Sequence, residues 1–412
     1  MIQTADTSLS GTYTMTIRYT CSMTSDTTNF TNDPVATVKA YLIKVVTQTV
    51  ANMEHSKSFT TDTTATNTKW SISPSTGDNM PSYSLEYKLF ASDETTAAPA
   101  WLTIDTSAAS TFAITINKAT AVVGTYNNMV VRAEVKDHTG TGTGKYFTEK
   151  FNVVVYELLS TPVDDVVYVV DASNTLESIT FGAFTCPHCP ASLLSTLTYS
   201  LETSGATPSD ALTTYASWLK SLTQATRKVE FQSSDTSLAG QYTLVLKGSI
   251  SSSPATTATT SFKVTLIALQ APTQADITYL FKDSPPPAKA IVPFTYTASG
   301  ATFAAGPTWT YSLAHTSGPT NVATLDASSN VLVGDVTSIT AGSVSGAITD
   351  VTKKGLTTTF TLTGQLSGAV SGQVLGAAGS IAIPARAKAS TTFKVHIVDF
   401  DLTTNDLTIL VG

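Results

Sequence analysis

The sequence predicts an all-β chain of tandem β-sandwich domains in an extended array, and three observations carry that prediction. A closing strand recurs four times: Val38-Lys39-Ala40-Tyr41-Leu42-Ile43, Phe151-Asn152-Val153-Val154-Val155-Tyr156, Phe262-Lys263-Val264-Thr265-Leu266-Ile267 and Phe393-Lys394-Val395-His396-Ile397-Val398. Successive copies lie 113, 111 and 131 residues apart, the period of a sandwich domain. Second, a glycine and an aromatic introduce the strand before each closing strand, and apolar residues then alternate with polar ones, as a strand with one buried face requires. Third, charged residues make up only 13% of the chain. Threonine fills the deficit at about 18%, and a β-branched surface residue suits a half-exposed pleated strand.

The elements follow in order. Gly-aromatic strands begin at Gly11-Thr12-Tyr13, Gly124-Thr125-Tyr126 and Gly240-Gln241-Tyr242, with a looser copy at Gly355 and Thr359-Phe360-Thr361. A Tyr-Ser-Leu strand stands earlier in each full repeat, at Tyr83-Ser84-Leu85, Tyr199-Ser200-Leu201 and Tyr311-Ser312-Leu313. Two repeats carry a Trp-Leu pair, Trp101-Leu102 and Trp218-Leu219. Opening strands read Asp165-Val166-Val167-Tyr168-Val169-Val170 and Asp276-Ile277-Thr278-Tyr279-Leu280-Phe281, and Asp406-Leu407-Thr408-Ile409-Leu410-Val411 echoes them. The one amphipathic helical candidate, Ala211 to Thr226, contains the Trp-Leu pair and is read as strand and turn. These repeats divide the chain into a partial domain at 1–46 with closing strands only, sandwiches at 47–158, 159–269 and 270–399, and an orphan opening strand at 400–412. The 270–399 sandwich carries a Gly-rich insertion.

Several classes of function are disfavoured by composition. At 412 residues the chain exceeds one sandwich core and suits three to four domains. A net charge of −7 opposes binding to nucleic acid phosphates. No run of eighteen apolar residues marks a membrane span. Met1-Ile2-Gln3-Thr4 leads straight into a strand pattern rather than a signal peptide, so an exported form is expected to be a mature or excised part of something longer.

The pattern Pro99-Ala100-Trp101-Leu102, Gly124-Thr125-Tyr126, Ala133 to Asp137 and the closing Phe147 to Val155 resembles the cadherin-like, dystroglycan-type immunoglobulin-like (Ig-like) repeat. The resemblance covers residues 80–156 and, with fewer matched positions, 190–267 and 300–398. It implies tandem Ig-like, cadherin-like sandwiches in an extracellular or cell-surface adhesive or structural protein. Cadherins bind calcium between domains through acidic linkers. The junctions here, Val45 to Val50, Leu158 to Asp165 and Ala268 to Asp276, hold only Asp164, Asp165 and Asp276, and no metal site or cofactor is expected.

Few residues point to chemistry. Cys186-Pro187-His188-Cys189 matches the active-site tetrapeptide of periplasmic thiol oxidases, which works when the first cysteine opens a helix. Here Pro190 follows at once, then a strand-like Leu193-Leu194-Ser195-Thr196-Leu197, with no βαβ pattern around it. A loop with a local disulfide or two free thiols fits best, and a metal contact with outside ligands or thiol oxidation are the alternatives. Cys21, equivalent to Ile250, reads as a buried apolar residue or a link to a neighbouring chain. His55, His138, His188, His315 and His396 lack metal-ligand spacing. Asp137, Asp235 and Asp326 read as turn residues, and an enzyme is not expected. Asn29-Phe30-Thr31 is the one N-glycosylation sequon. The loops Thr60 to Thr68, Ser251 to Thr260 and Thr273 to Pro287 are candidates for O-linked sugar.

The ragged ends suggest assembly. The tail strand, with Asp406 at its head and Leu407, Ile409 and Val411 as its alternate side chains, would complete the partial sandwich around Tyr13, Met15 and Ile17 of the next chain by β-augmentation. An open head-to-tail contact of that kind builds a homopolymeric filament or surface coat. A continuation of a longer repeat polypeptide would use the same strands covalently. The alternative is a monomeric adhesin binding carbohydrate or protein, with Trp70 and Trp309 as candidate contacts, although core packing suits both.

Overall fold

Alternating apolar and polar residues in each repeat predict sheets with one buried face, which a second layer must cover. The computed structural model describes residues 11–18, 35–42, 44–73, 82–137, 139–252, 255–280, 289–318, 323–326, 331–334, 338–340, 343–345 and 354–399. It divides into two units, one of Met1–Leu159 with Thr185–Leu197 and Ser249–Thr257, the other of Ser160–Phe184, Thr198–Gly248 and Ala258–Gly412.

In the first unit, β1 (Gly11–Arg18) and β2 (Val35–Leu42) form a two-stranded antiparallel sheet with Tyr13 opposite Ala40, Met15 opposite Val38 and Ile17 opposite Ala36. The first full sandwich follows. Its elements are β3 (Lys44–Val46), β4 (Met53–Ser56), β5 (Thr63–Thr68), β6 (Ser71–Ser73), β7 (Ser84–Phe90), β8 (Leu102–Asp105), β9 (Thr111–Ile116), β10 (Gly124–Lys136) and β11 (Gly142–Tyr156). One sheet has the order β4-β11-β10-β7, with β4 parallel to β11, and the facing sheet has the order β5-β9-β8. Strand β3 pairs with β6, and Val45 is buried in this core. Lys44–Val46 thus belongs to the first full sandwich rather than to the partial domain ending at 46. Trp70, Tyr87, Trp101, Phe112, Ile114 and Phe151 fill the centre.

The second unit begins with β12 (Val166–Val170) and β13 (Glu177–Thr180). The segment 185–197, counted with the first unit, contains the short helix α1 (Ala191–Leu194). Then come β14 (Thr198–Thr203), helix α2 (Ala211–Thr214), β15 (Leu219–Thr223), β16 (Lys228–Phe231), β17 (Gly240–Ile250) and β18 (Thr256–Gln270). The sheets run β12-β18-β17-β14 and β13-β16-β15. The third sandwich has β19 (Ile277–Leu280), β20 (Lys289–Ala290), β21 (Thr295–Thr297), β22 (Phe303–Ser317), β23 (Ala323–Asp326), β24 (Val331–Gly334), β25 (Ser338–Thr340), β26 (Ser343–Ser345), β27 (Thr357–Val374), β28 (Ala377–Ala382) and β29 (Lys388–Val398). Its main sheet runs β19-β29-β27-β22, with β28 folded onto β27, and β20-β24-β23 forms a second sheet.

Two local expectations change. The stretch after Pro190 is a helical turn, because the Leu193 and Leu194 N–H groups both return to the Pro190 carbonyl (3.0 and 3.1 Å). A proline fixed at φ −54° starts such a turn readily. The Ala211 to Thr226 segment divides: Asp210 caps α2 through Leu212 N–H (3.1 Å), and β15 follows.

The repeat alignment also shifts by four residues at one place. A tyrosine hydroxyl accepts a backbone N–H from a connecting segment in every full sandwich: Tyr87 from Trp70 (2.7 Å), Tyr199 from Phe184 (2.9 Å) and Tyr311 from Phe294 (3.2 Å). The partner of Tyr199 and Tyr311 is therefore Tyr87 and not Tyr83. A second tyrosine ties the Gly-aromatic strands. Tyr126 donates to the Val122 carbonyl (3.1 Å) beneath Trp101, and Tyr242 donates to the Leu238 carbonyl (2.9 Å) beneath Trp218.

His55 is fully buried on β4, with Nδ1 2.9 Å from Thr63 Oγ1 and no hydrogen-bond partner for Nε2 among the described residues. Burial, with Lys57 nearby, lowers its pKa below 6.5, against a smaller opposing pull from Asp62. The unfolded chain then binds the extra proton first, so stability is full above about pH 6.5 and falls as pH drops towards the folded value. The urea midpoint of the first sandwich is expected to fall between pH 7.5 and 5, and His55→Gln should flatten that dependence.

Candidate functional site

Each full sandwich solves the same problem at its entry. The opening strand is short, parallel, and bonded to the closing strand along one edge only, and the residue just before it supplies a side-chain acceptor. Asn52 Oδ1 accepts Asn152 N–H at 2.8 Å, Asp165 Oδ1 accepts Lys263 N–H at 2.6 Å, and Asp276 Oδ1 accepts Lys394 N–H at 2.8 Å. The registers agree. Met53 stands opposite Val153, Val166 opposite Val264 and Ile277 opposite Val395. In each case the donor is the second residue of the closing motif, and the first residue of the opening strand faces the third. This side-chain lock fixes strand register and satisfies an N–H that the ladder does not reach.

In the second unit the Asp165 lock is extended. Asp165 is 8% exposed, its Oδ2 accepts Gln373 N–H (2.9 Å), and its own N–H donates to the Gln373 carbonyl (3.0 Å). Asp164 Oδ1 accepts Leu375 N–H (2.5 Å). The Gly-rich β27–β28 hairpin thereby lies against the opening strand of the second sandwich. A β-carbon on Gly372 would stand 2.6 Å from Asp165 Oδ2, so this approach requires glycine. The hairpin tip turns through Leu375 (φ 52°) and Gly376 (φ 78°), a left-handed pair suited to a two-residue hairpin.

Behind the hairpin, Val167, Val169 and Ile267 share one apolar cluster with Leu366, Val370, Ile383 and Ala387. Strand β21 pairs with the end of β18, Ala268 opposite Thr297. Arg386 closes the rim. Its Nη1 donates to Asp171 (2.7 Å) and to the Val169 carbonyl (2.8 Å), its Nε donates to Glu177 (2.5 Å), and its guanidinium lies 4.9 Å from the centre of the Tyr168 ring. The second and third sandwiches are joined by main-chain bonds, a shared core and an arginine. Among the described residues no group of three His, Cys, Asp or Glu could hold a metal ion.

The other sequence candidates are placed as follows. Cys186 and Cys189 are joined by a disulfide, their Cα atoms 5.5 Å apart. His188 between them has φ 66° and its Nδ1 lies 3.2 Å from Thr125 Oγ1. Asp137 and Asp235 accept from Thr139 and Ser237 N–H groups within turns. Trp70 is 4% exposed in the core and Trp309 is half-buried against Phe294. His315 bonds the Gly318 carbonyl and His396 pairs with Thr357. Asn29, Cys21, His138, Asp406, Leu407, Ile409 and Val411 lie outside the described residues, as do the side chains of Tyr13, Met15, Ile17 and Asp326. Sequence reasoning missed the locking role of Asn52, Asp165 and Asp276, although an Asp stands immediately before two of the three opening strands.

No protein-family model matches the chain, and no curated protein does. Solved structures similar to it include cadherin ectodomain repeats. The protocadherin gammaB7 EC3–6 cis-dimer structure is 12% identical over 95% of this chain and 83% of its own, with a TM-score of 0.31. Mouse cadherin-23 EC22–24 is 13% identical over 87% and 99%, at 0.32. The three N-terminal domains of the bacteriophage RB49 highly immunogenic outer capsid protein (Hoc) are 13% identical over 83% and 96%, at 0.39. The described part of the chain is nearly all β, built as successive sandwiches of paired sheets.

Asp165 serves two N–H groups, whereas Asn52 shows that one amide oxygen suffices for one. Asp165→Asn should therefore cost about 1–3 kcal/mol, since one N–H would meet an amide donor instead of an acceptor. Asp276→Asn should leave denaturant midpoints within error. Calorimetry with and without a calcium chelator is expected to give the same transition for the joined second and third sandwiches.

Proposed function

We propose that this chain is an extracellular structural subunit whose copies join head to tail into a filament or surface coat. The observation that carries this reading is the β1–β2 sheet. In every full sandwich the closing strand carries a parallel opening strand on one side, at β4, β12 and β19. Among the described residues β2 carries none. By analogy with the three full sandwiches, we assign a parallel strand to the place beside β2.

Residues 406–411 have the composition of that strand. They begin with Asp, as at Asp165 and Asp276, and alternate Leu407, Ile409 and Val411. The register of the full sandwiches, transferred to β2, sets Leu407 opposite Ala40 and Ile409 opposite Leu42. Asp406 then accepts the Lys39 N–H of the next copy, as Asp165 accepts that of Lys263. Main-chain bonds supply the affinity of such an added strand and its alternate side chains supply specificity. Because the contact is heterologous and does not close, it propagates. An adhesive role for individual copies would need an exposed aromatic platform. Trp70 is core, and the cleft of about 400 Å³ beside Asp165 has Phe262 buried at 2% and is otherwise lined mainly by hydroxyl and amide groups.

Electron microscopy of the full chain beside a chain ending at Phe400 tests the reading. Filaments are expected from the full chain and monomers from the shorter one, with Asp406→Ala shortening filaments. Filaments that persist without residues 401–412 would overturn it.

A further inference from the structure

The three sandwiches expose the same edge, and they guard it differently. The tyrosine strands β7, β14 and β22 each end a sheet. On β7, Glu86 and Lys88 form an ion pair (3.3 Å), and Glu86 also meets Lys136 (2.8 Å). On β14, Glu202 pairs with Lys247 (2.9 Å) and bridges to Asp210 at the start of α2. Both strands are short, at seven and six residues. Short length and charge are the usual means of keeping a sheet edge from recruiting another strand.

Strand β22 has neither guard. It runs for 15 residues, Phe303–Ser317, without an Asp, Glu, Lys or Arg, and among the described residues no strand pairs with its outer edge. Thr308, Thr310, Ser312, Ala314 and Thr316 are all exposed on one face. Their neighbours on β27 (Ser367, Gln365, Thr363 and, opposite Ala314, Thr361) are uncharged too. The same face of the first sandwich instead carries Glu86, Lys88, Arg132, Glu134 and Lys136. Charged guards thus stand on two of the three repeated edges; on the longest, Pro307 and the register shifts lie towards the strand ends, and Thr308 to His315 is an uncharged, uninterrupted run.

We propose that β22 pairs antiparallel with β22 of a second copy, about a two-fold axis at Ser312, to make one continuous sheet from the two five-stranded ones. The strand's own sequence identifies the occupant. Folded on Ser312, it sets Thr308 against Thr316 and Thr310 against Ala314, and on the other face Tyr311 against Leu313 and Trp309 against His315. Hydroxyl pairs and aromatic–aliphatic pairs favour cross-strand contact, and no like charges meet. Copies with a net charge of −7 repel one another over most surfaces, and this edge is where that repulsion is locally absent. The contact is isologous and independent of the end-to-end joint.

The test uses the full chain with Cys21→Ser, so that Ser312→Cys supplies the reactive thiol beside the bonded Cys186–Cys189 pair. A short bismaleimide should give a covalent dimer on a denaturing gel, at least tenfold above a Thr359→Cys control on the central strand β27. Adding Thr310→Lys and Ala314→Lys, both outward-facing and checked for fold by circular dichroism, should return the yield to the control level. The same dimer is expected from the chain ending at Phe400, so failure of the end joint would leave this result intact. A yield equal to the control, or one that the two lysines do not change, would overturn the proposal.

Discussion

One hydrogen bond recurs at the entry of every full sandwich, from a closing-strand N–H to the side chain just ahead of the opening strand. The opening strands are only four or five residues long and are bonded along one edge, so few ladder bonds oppose their fraying. A side-chain acceptor at the first position sets the register before the ladder begins, and slippage by one residue would turn each buried side chain outward. Its worth depends on burial. Asp165 is 8% exposed and serves two strands, whereas the Asp276 side chain is 53% exposed and serves one. Charge-assisted bonds are strong where water is excluded and weak where it is not.

That difference explains how the second and third sandwiches are joined. An interdomain calcium site needs several carboxylate oxygens free to converge. Here Asp164 and Asp165 give theirs to Leu375, Lys263 and Gln373 N–H groups, and the next carboxylates, Asp171 and Glu177, are held by Arg386. Burial of Val167, Val169, Leu366, Val370 and Ile383 in one cluster joins the two sandwiches. The hydrophobic contribution grows with area removed from water, at about 25 cal/mol per Å². It needs no ion from the medium.

Much of this was legible in the sequence. The closing strands, the Gly-aromatic strands and the Trp-Leu pairs lie where their two-residue period placed them, because one buried face imposes that pattern whatever the partner. Less legible was everything decided by distance in the chain. Tyr83-Ser84-Leu85 matched the other repeats by letters, but the hydroxyl that accepts a connecting-segment N–H belongs to Tyr87, and only its bond from Trp70 N–H identifies it. Leu193 to Leu197 alternates like a strand, yet Pro190 nucleates a helical turn there. The Gly-rich insertion was visible as composition. Its role was not, because Gly372 is explained by Asp165, more than two hundred residues earlier.

The sheet edges connect fold to assembly. A strand added beside β2 would gain a register already used three times within the chain, including its side-chain lock. A strand added beside β22 would gain a long uncharged ladder. The two differ in symmetry, since the first is head to tail and propagates while the second is two-fold and closes. The two edges belong to different sheets. Where both contacts form, each lateral pairing would be made between chains already tied end to end. Contacts formed under that constraint benefit from a high effective concentration, so a joint that is weak between free copies becomes strong along a row. The absence of charge on β22 would then be tolerable, because the edge that could otherwise recruit strands at random would be filled by its own kind.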